Sequence, residues 1–380
     1  MSVPTNTRGS STRSSEEAPP AIELAPSYDV VIIGGGAAGL SGALALGRAR
    51  RTVLVIDAGD PRNAPAGHVH NYLTSEGMPP GDLLAKGRAE VAQYGVQVVR
   101  ATATSARLLT EDSRGPQARH GGDRFVVELD DGRTVRARRL LVATGLTDEL
   151  PDVPGVVERW GRDVLHCPYC HGWEVRDQAI GILGTGPMAT HSALLFRNWS
   201  DDIVLFRHTA PPLSDEQAEQ LAARGITVLD GEVSALEVED DRLTGVRLRS
   251  GEVVPRQAVV VAPRLLARSG PLTGIGLETT NMEMGGYVFG RSIPAELIGA
   301  TSIPGVYVAG NVTNLMAQVI TSAADGLGVG AQINADLIAE ETALAVDALR
   351  SRRQGKGDLF SAGMEADMSE RVLGSRRHGL

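Results

Sequence analysis

One pattern occurs twice in this chain and leaves few folds open to it: an apolar strand run that stops at a glycine-rich turn and passes into a helix. In the first copy Asp29-Val-Val-Ile-Ile33 ends at Gly34-Gly-Gly-Ala-Ala-Gly39, and a helical stretch runs to about Arg50. Thr52-Val-Leu-Val-Ile56 then reads as a second strand closed by Asp57. Strand, turn, helix, strand and acid fill the length of one βαβ unit. In the second copy Gln178-Ala-Ile-Gly-Ile-Leu183 leads into Gly184-Thr-Gly-Pro-Met-Ala189, then a helical run to about Asn198 and the strand Ile203-Val-Leu-Phe206. Each half also carries a hairpin-like segment: Phe125 to Val142 turns at Asp130-Asp-Gly132, and Leu243 to Val261 turns near Ser250-Gly251. The pattern implies an α/β protein with two Rossmann-like, dinucleotide-binding domains built as an internal duplication.

The order of the pieces suggests an insertion. Gly305-Val-Tyr-Val-Ala-Gly310 reads as a strand ending in glycine, and Thr321-Ser-Ala-Ala-Asp-Gly-Leu-Gly328 opens a long helix continuing to about Arg350. Both belong with the first half. The expected division is an arm at 1–27, a first domain at 28–150 and 285–350, a second domain at 151–284 inserted in the first, and a tail at 351–380. With 380 residues the chain is long enough for two cores, and 42% apolar with 22% charged residues excludes a mostly disordered protein. Forty-five glycines against 4% aromatics suit many tight strand-to-helix turns. The net charge of −9 offers nucleic acid or an anionic membrane no attraction. No apolar run approaches the roughly 20 residues of a membrane-spanning helix.

Met1 to about Ser27 is rich in Ser, Thr, Pro and Glu without an apolar stretch, which reads as a disordered arm and not a secretory signal. The last segment, with Arg352, Arg353, Arg376 and Arg377, reads as a mobile tail. The chain has two cysteines, spaced as one C-x-x-C, which fits a catalytic dithiol in a reducing, cytoplasmic compartment better than a disulfide framework.

The glycines have a physical task. Gly34 permits the sharp turn, Gly36 lets the backbone approach a pyrophosphate, and Gly39 allows helix to pack on strand, with Ala38 beside it. The helix N-terminus receives phosphates through its free N–H groups and dipole. Asp57 stands where an acid accepts hydrogen bonds from an adenosine ribose. Thr144 and Gly145 at the end of one strand, Gly310 and Asn311 at the end of another, and Gln318 and Val319 at the start of the late helix complete a candidate site. These strand-end segments favour FAD over NAD as the first dinucleotide. In the second loop Gly184, Gly186 and Ala189 keep the turn chemistry, but Pro187 removes a backbone donor. A 2′-phosphate partner should be two or three arginines after the following strand, where Arg207-His208-Thr209 offers one permanent cation. NADPH as second cofactor therefore stays open: either it binds weakly or differently, or the domain has kept its fold without its ligand. Arg264 and Arg268, after the strand ending at Val261, are the other cations available.

His166-Cys167-Pro-Tyr-Cys170-His171 carries the chemistry. Two intervening residues let the sulfurs meet across a helical turn, in a small disulfide ring that opens and closes easily. A helix N-terminus and a neighbouring imidazolium would lower a thiol pKa. His171, or else His166, suits acid–base work near neutral pH. A zinc site needs four ligands, which one CxxC with adjacent histidines does not supply in tetrahedral geometry, so no metal is expected. CPYC also resembles the glutaredoxin motif, but that fold has no glycine loops around it. Between Arg62 and Tyr72, His68, His70 and Asn71 either line a cleft or are solvated.

In the order GGGAAG, ATG, CxxC, GTGPMA and VYVAGN, residues 28 to 345 resemble the low-molecular-weight thioredoxin reductases, the class II pyridine nucleotide-disulfide oxidoreductases. The resemblance implies FAD in the outer domain, the dithiol in an inserted NADPH domain, and a homodimer. It also implies that Cys170 faces the flavin and that Cys167 is the interchange thiol. Three residues depart from the family: His171 replaces an acid after the second cysteine, the NADPH-reading arginines are mostly missing around Arg207, and Asn311 replaces an acid after Gly310. The first two departures are similar to the FAD-dependent dithiol oxidases of gliotoxin and holomycin type. These take electrons from a small dithiol through CxxC and FAD to oxygen, releasing peroxide. The expectation is a dithiol oxidase acting on a small dithiol. The alternatives are an NAD(P)H-dependent reductase of a protein disulfide, a ferredoxin- or flavodoxin-linked reductase, and a non-catalytic flavin-binding protein.

Overall fold

The structure, a computed structural model, describes residues 23–109, 122–359, 363, 364 and 368; most of the arm and tail expected at the two ends, including Arg376 and Arg377, lies outside these residues. The first half starts with β1 (Ser27–Ile33), α1 (Ala37–Arg48), β2 (Val53–Asp57), α2 (Pro80–Ala92) and β3 (Gln97–Arg100). Val30 to Ile33 and Val53 to Ile56 are all buried, as strands of a parallel sheet covered on both faces must be. β4 (Ala103–Leu108), β5 (Phe125–Leu129) and β6 (Thr134–Val142) follow as antiparallel neighbours. β5 alternates buried and half-buried side chains, as a strand with one covered face does. β7 (Leu146–Glu149) carries the chain out of this half.

The second half repeats the design. After α3 (Val156–Arg159), β8 (Val164–Leu165) and α4 (Pro168–His171) come β9 (Ile180–Leu183), α5 (Ala189–Phe196), β10 (Ile203–Phe206), α6 (Asp215–Ala223) and β11 (Thr227–Leu229). The antiparallel trio β12 (Val233–Glu239), β13 (Arg242–Leu248) and β14 (Val253–Pro255) precedes β15 (Ala258–Val260). β16 (Arg264–Ala267), β17 (Thr280–Met284), β18 (Tyr287–Ser292), β19 (Val306–Val308) and α7 (Val319–Leu359) complete the described chain.

The parallel strands of the two sheets correspond one for one, although the antiparallel strands β4 and β5 join the first sheet while β12 to β14 form a sheet of their own. The first runs β3-β2-β1-β6, and β6 pairs β5 along its first residues and β19 along its last. The second runs β11-β10-β9-β15-β8, parallel throughout. They differ in where the outermost parallel strand comes from. In the first sheet β19 arrives after the second half is complete and delivers Ala309-Gly310 to the carboxyl edge. In the second, β8 arrives before the glycine loop and delivers His166-Cys167 there. The carboxyl edge is where open α/β sheets bind their ligands.

Three expected boundaries shift. Ser27 already pairs with Arg136 in β1, and Leu24 packs on the first core. Leu272, Ile275 and Leu277 join that same core beside Phe125 and Val306, so the chain returns to the first half well before residue 285. Their apolar side chains bury on the first sheet, and no local pattern announces this. α7 extends to Leu359 and so takes in part of the expected tail.

Small residues bring α7 close to α1: a Cβ on Gly326 would lie 2.0 Å from Ala38 O, and one on Gly42 would lie 3.0 Å from Gly326 O. Further along, arginines fasten α7 to the sheet. Arg139, 2% exposed, donates from Nε to Asp336 Oδ2 at 2.6 Å, and Arg138 pairs with Asp29, Glu340 and Glu341. The Tyr307 hydroxyl donates to the same Asp336 oxygen at 2.8 Å, and burial together with that carboxylate pushes its pKa up. Replacing Arg139 by Met should destabilise the fold by about 2–3 kcal/mol in urea unfolding. This is below the full cost of breaking a buried pair because both acid partners reach solvent.

Candidate active site

Cys167 is the N-cap of α4 and Cys170 its third residue, and the two form a disulfide with Cα atoms 5.2 Å apart. The short ladder between β8 and β15 fixes this turn: Val164 pairs with Val259 and Leu165 with Val260, and Val261 N–H donates to Leu165 O at 2.8 Å. Both cysteines are partly exposed, and Tyr169 between them is 57% exposed. The turn therefore lies at the protein surface while its backbone is held by the sheet.

Both histidines of the motif are held in the neutral form. Burial lowers the pKa of His166, whose Nδ1 lies 3.1 Å from Val261 O. Burial also lowers the pKa of His171, with Glu174 partly opposing and His70 adding to the effect. The imidazolium expected beside the thiols is thus disfavoured. His171 Nδ1 is buried without a hydrogen-bond partner in the described structure. A neutral imidazole with an unengaged nitrogen next to a disulfide is equipped to accept a proton.

The first half supports this turn through the segment containing His68, His70 and Asn71. Asn71 Nδ2 donates to Tyr169 O at 2.5 Å, inside the CxxC turn. His70 lies between two carboxylates, with Nδ1 2.6 Å from Glu76 Oε1 and Nε2 3.5 Å from Glu174 Oε1. His68 stacks at a tilt on His70, their ring centroids 6.0 Å apart. Of the three residues singled out in this loop, Asn71 therefore touches the CxxC turn directly, while His70 reaches Glu174, beyond that turn.

The residues of the first glycine loop fit a dinucleotide. α1 begins at Ala37, directly after Gly36, and no side chain caps its N-terminus. A Cβ placed on Gly36 would meet nothing within 4 Å, so the approach to the backbone is open. Gly34 (φ +109°) lies against Ala143 O, and a Cβ on Gly39 would collide with Gly34 O at 1.9 Å. Asp57 closes β2 and packs against Gly35. Thr144 Oγ1 donates to Arg268 O at 2.6 Å, and Gly145 adopts φ +69°. Gly310 (φ +75°) sits over Ala38, and its N–H donates to Asp325 Oδ2 at 2.7 Å, an α7 contact that the sequence did not reveal. Asn311 turns inward: its Nδ2 donates to the carbonyls of Asn314, Leu315 and Ala317. That leaves only its carbonyl oxygen for the ribityl contact expected of it. Gln318 O accepts from Ser322 N–H at 2.8 Å, just ahead of Val319 at the start of α7.

The second loop does not fit in the same way. α5 begins at Ala189, three residues after Gly186, because Pro187 and Met188 form a turn first. Gly184 packs on the carbonyls of Phe206 and Arg207, and Gly186 faces the ring of Tyr287. Arg207 Nε donates to Asp230 Oδ1 at 2.5 Å, and His208 Nδ1 accepts from Val233 N–H. Arg264 and Arg268, the other cations available, pair with Glu149 and Asp60. No group of three or more His, Cys, Asp or Glu side chains among the described residues is placed to hold a metal ion, and none of their helices is long and apolar enough to cross a membrane.

Comparison with known proteins places these features in context. The pyridine nucleotide-disulphide oxidoreductase family matches residues 28–326. A probable thioredoxin reductase of Arthroderma benhamiae is 36% identical over 47% of this chain, and the match spans only 43% of that relative's length. The thioredoxin reductase sirT of Leptosphaeria maculans is 29% identical over 81% of this chain and 93% of its own. Among solved structures, HlmI superposes with a TM-score of 0.76 at 45% identity, covering 86% of this chain and 97% of HlmI.

The lowered histidine pKa values predict an acid-side loss of stability. The unfolded chain takes up protons on imidazole near pH 6.5 while the folded chain does not. Stability should therefore fall as the pH drops through that value and down towards the depressed folded pKa values. His166→Asn, whose amide can keep a donor at the Nδ1 position, should flatten the pH dependence of urea unfolding between about pH 7 and 5. An unchanged slope would mean that His166 is not held neutral.

Proposed function

We propose that this chain, which belongs to the pyridine nucleotide-disulphide oxidoreductase family, oxidises a dithiol to a disulfide through Cys167 and Cys170 and passes the electron pair by way of FAD to oxygen. Membership makes it an oxidoreductase, thioredoxin reductase-like, of a flavin-dependent family. The observation that carries the direction of flow is the state of the second loop's cations. Arg207 is committed to Asp230, and the acid adds negative charge where a 2′-phosphate would need the reverse. His171 in the place of an acid agrees with this reading.

FAD would be held by Gly34, Gly36 and Gly39 with the N-terminus of α1, by Asp57, and by the strand ends at Thr144-Gly145 and Gly310-Asn311. Gln318 and Val319 would support it from α7. When bound, FAD accepts the electron pair of the reduced dithiol and hands it to oxygen. The protein's own residues perform the exchange before that. A substrate thiolate attacks Cys167 Sγ, the bond between Cys167 and Cys170 breaks, and Cys170 leaves as thiolate. A second substrate thiolate attacks the same substrate's sulfur in the mixed disulfide and releases Cys167, so the substrate leaves as disulfide and the enzyme holds two reduced sulfurs. His171, neutral in the oxidised enzyme, accepts a substrate thiol proton. The balance is dithiol plus oxygen giving disulfide plus hydrogen peroxide. We further infer that the substrate is a small dithiol, that the protein acts in the cytoplasm, and that it works as a homodimer, as in the family it resembles.

Oxygen uptake by the FAD-loaded protein tests this reading. With a small dithiol and no nicotinamide it should consume oxygen and release one peroxide per disulfide formed. Cys167→Ser and Cys170→Ser should each abolish uptake while FAD stays bound. His171→Ala should lower the rate about 10²–10⁴-fold, the range for losing a general base. Uptake that needs NADPH, or that survives either cysteine change, would contradict the proposal.

A further inference from the structure

The two glycine loops act as internal controls for each other, since one chain builds the same strand–turn–helix unit twice. The second glycine of such a loop exists so that a pyrophosphate can come against bare backbone. In the first copy that space is open: a Cβ on Gly36 would meet no atom within 4 Å. In the second copy it is taken, because a Cβ on Gly186 would lie 2.9 Å from Tyr287 Cζ, 3.1 Å from Cε1 and 3.3 Å from Cε2. The far edge of the phenol ring sits where the glycine makes room.

The backbone that carries the ring is fixed by its strand. Tyr287 is the first residue of β18 and pairs with Met284 of β17 across Gly285-Gly286. Those glycines have φ of +58° and +79°, so the link is a two-residue hairpin turn with both central residues left-handed. β18 is tied in turn to β16, with Leu265 opposite Gly290 and Leu266 opposite Arg291. A tight turn on a four-stranded sheet thus points the ring at the loop.

Two further observations fit a loop that has lost its anion. Thr185 Oγ1, between Gly184 and Gly186, is buried with no hydrogen-bond partner among the described residues, where a phosphate would supply one. The helix that should present its N-terminal N–H groups to the phosphate starts only at Ala189, after Pro187 and Met188.

We propose that Tyr287 fills the pyrophosphate position of the second glycine loop and is the residue that excludes nicotinamide dinucleotides from this protein. The purpose of the exclusion rests on the oxidase reading: an enzyme passing electrons to oxygen gains nothing from a hydride donor that would keep its flavin reduced. The geometry stands without that reading.

The test is isothermal titration of the FAD-loaded, full-length protein with NADH and then NADPH. The wild type and Tyr287→Phe, which keeps the ring, should show no saturable binding. Tyr287→Ala and Tyr287→Val should bind NADH about tenfold or more tighter, with Val covering the case in which Ala weakens β18. NADH should bind better than NADPH, because Asp230 neutralises Arg207. The inference is overturned if the wild type binds NADH as tightly as the Ala variant, or if folded, FAD-loaded Ala and Val variants gain nothing. Dithiol-driven oxygen uptake is measured on the same preparations. Its absence alongside the expected binding pattern would remove the oxidase reading and leave the role of Tyr287 intact.

Discussion

The parallel ladder between β8 and β15 is only two residue pairs long, and the chemistry depends on it. It makes β8 the outermost strand of the second sheet, so that His166 and Cys167 emerge at the carboxyl edge, where α/β sheets bind ligands. The first sheet uses the equivalent place, the end of β19, for Ala309 and Gly310. The redox turn and one wall of the proposed flavin site are therefore the same position in two copies of one design. Val261, at the end of β15, both closes the ladder and faces His166 Nδ1. Misplacing that strand would displace the disulfide and its neighbouring histidine together.

The two copies keep their folds and differ at the edge. In the first, glycine, helix N-terminus and acid converge on open space. In the second, a proline delays the helix, a carboxylate holds the expected cation, and a phenol ring lies on the glycine. Each difference is modest in energy. The Arg207–Asp230 pair is exposed on the acid side and would contribute about 0–1 kcal/mol to stability. Under the exclusion proposed above they add up because they act on the same small volume: the helix N-terminus is set back, the expected cation is paired, and a ring stands beside the second glycine.

Much of this was legible in the sequence because its signals are local. The strand runs, the glycine turns, the hairpin at Asp130 to Gly132 and the CPYC spacing each occupy a dozen residues or fewer, and the structure builds them as read. What was not legible depends on distant partners. Tyr287 follows two glycines and looks like any strand residue until β18 packs beside the second loop. Asp325 sits in a helix, and its bond to Gly310 N–H exists only because α7 crosses α1. Leu272 and Ile275 read as part of the second half because the chain passes there, yet they bury in the first core. The imidazolium expected next to the thiols failed for the same reason: charge at His166 and His171 is decided by burial, which sequence spacing does not report.

The central claim is that the Cys167–Cys170 pair, and not a nicotinamide, delivers electrons to the flavin. Anaerobic stopped-flow mixing of the FAD-loaded protein with a small dithiol, and separately with NADPH, examines that transfer in a single turnover. The account predicts that the dithiol bleaches the flavin absorbance, that air restores it, and that NADPH leaves it unchanged. Rapid bleaching by NADPH, with none by the dithiol, would contradict it.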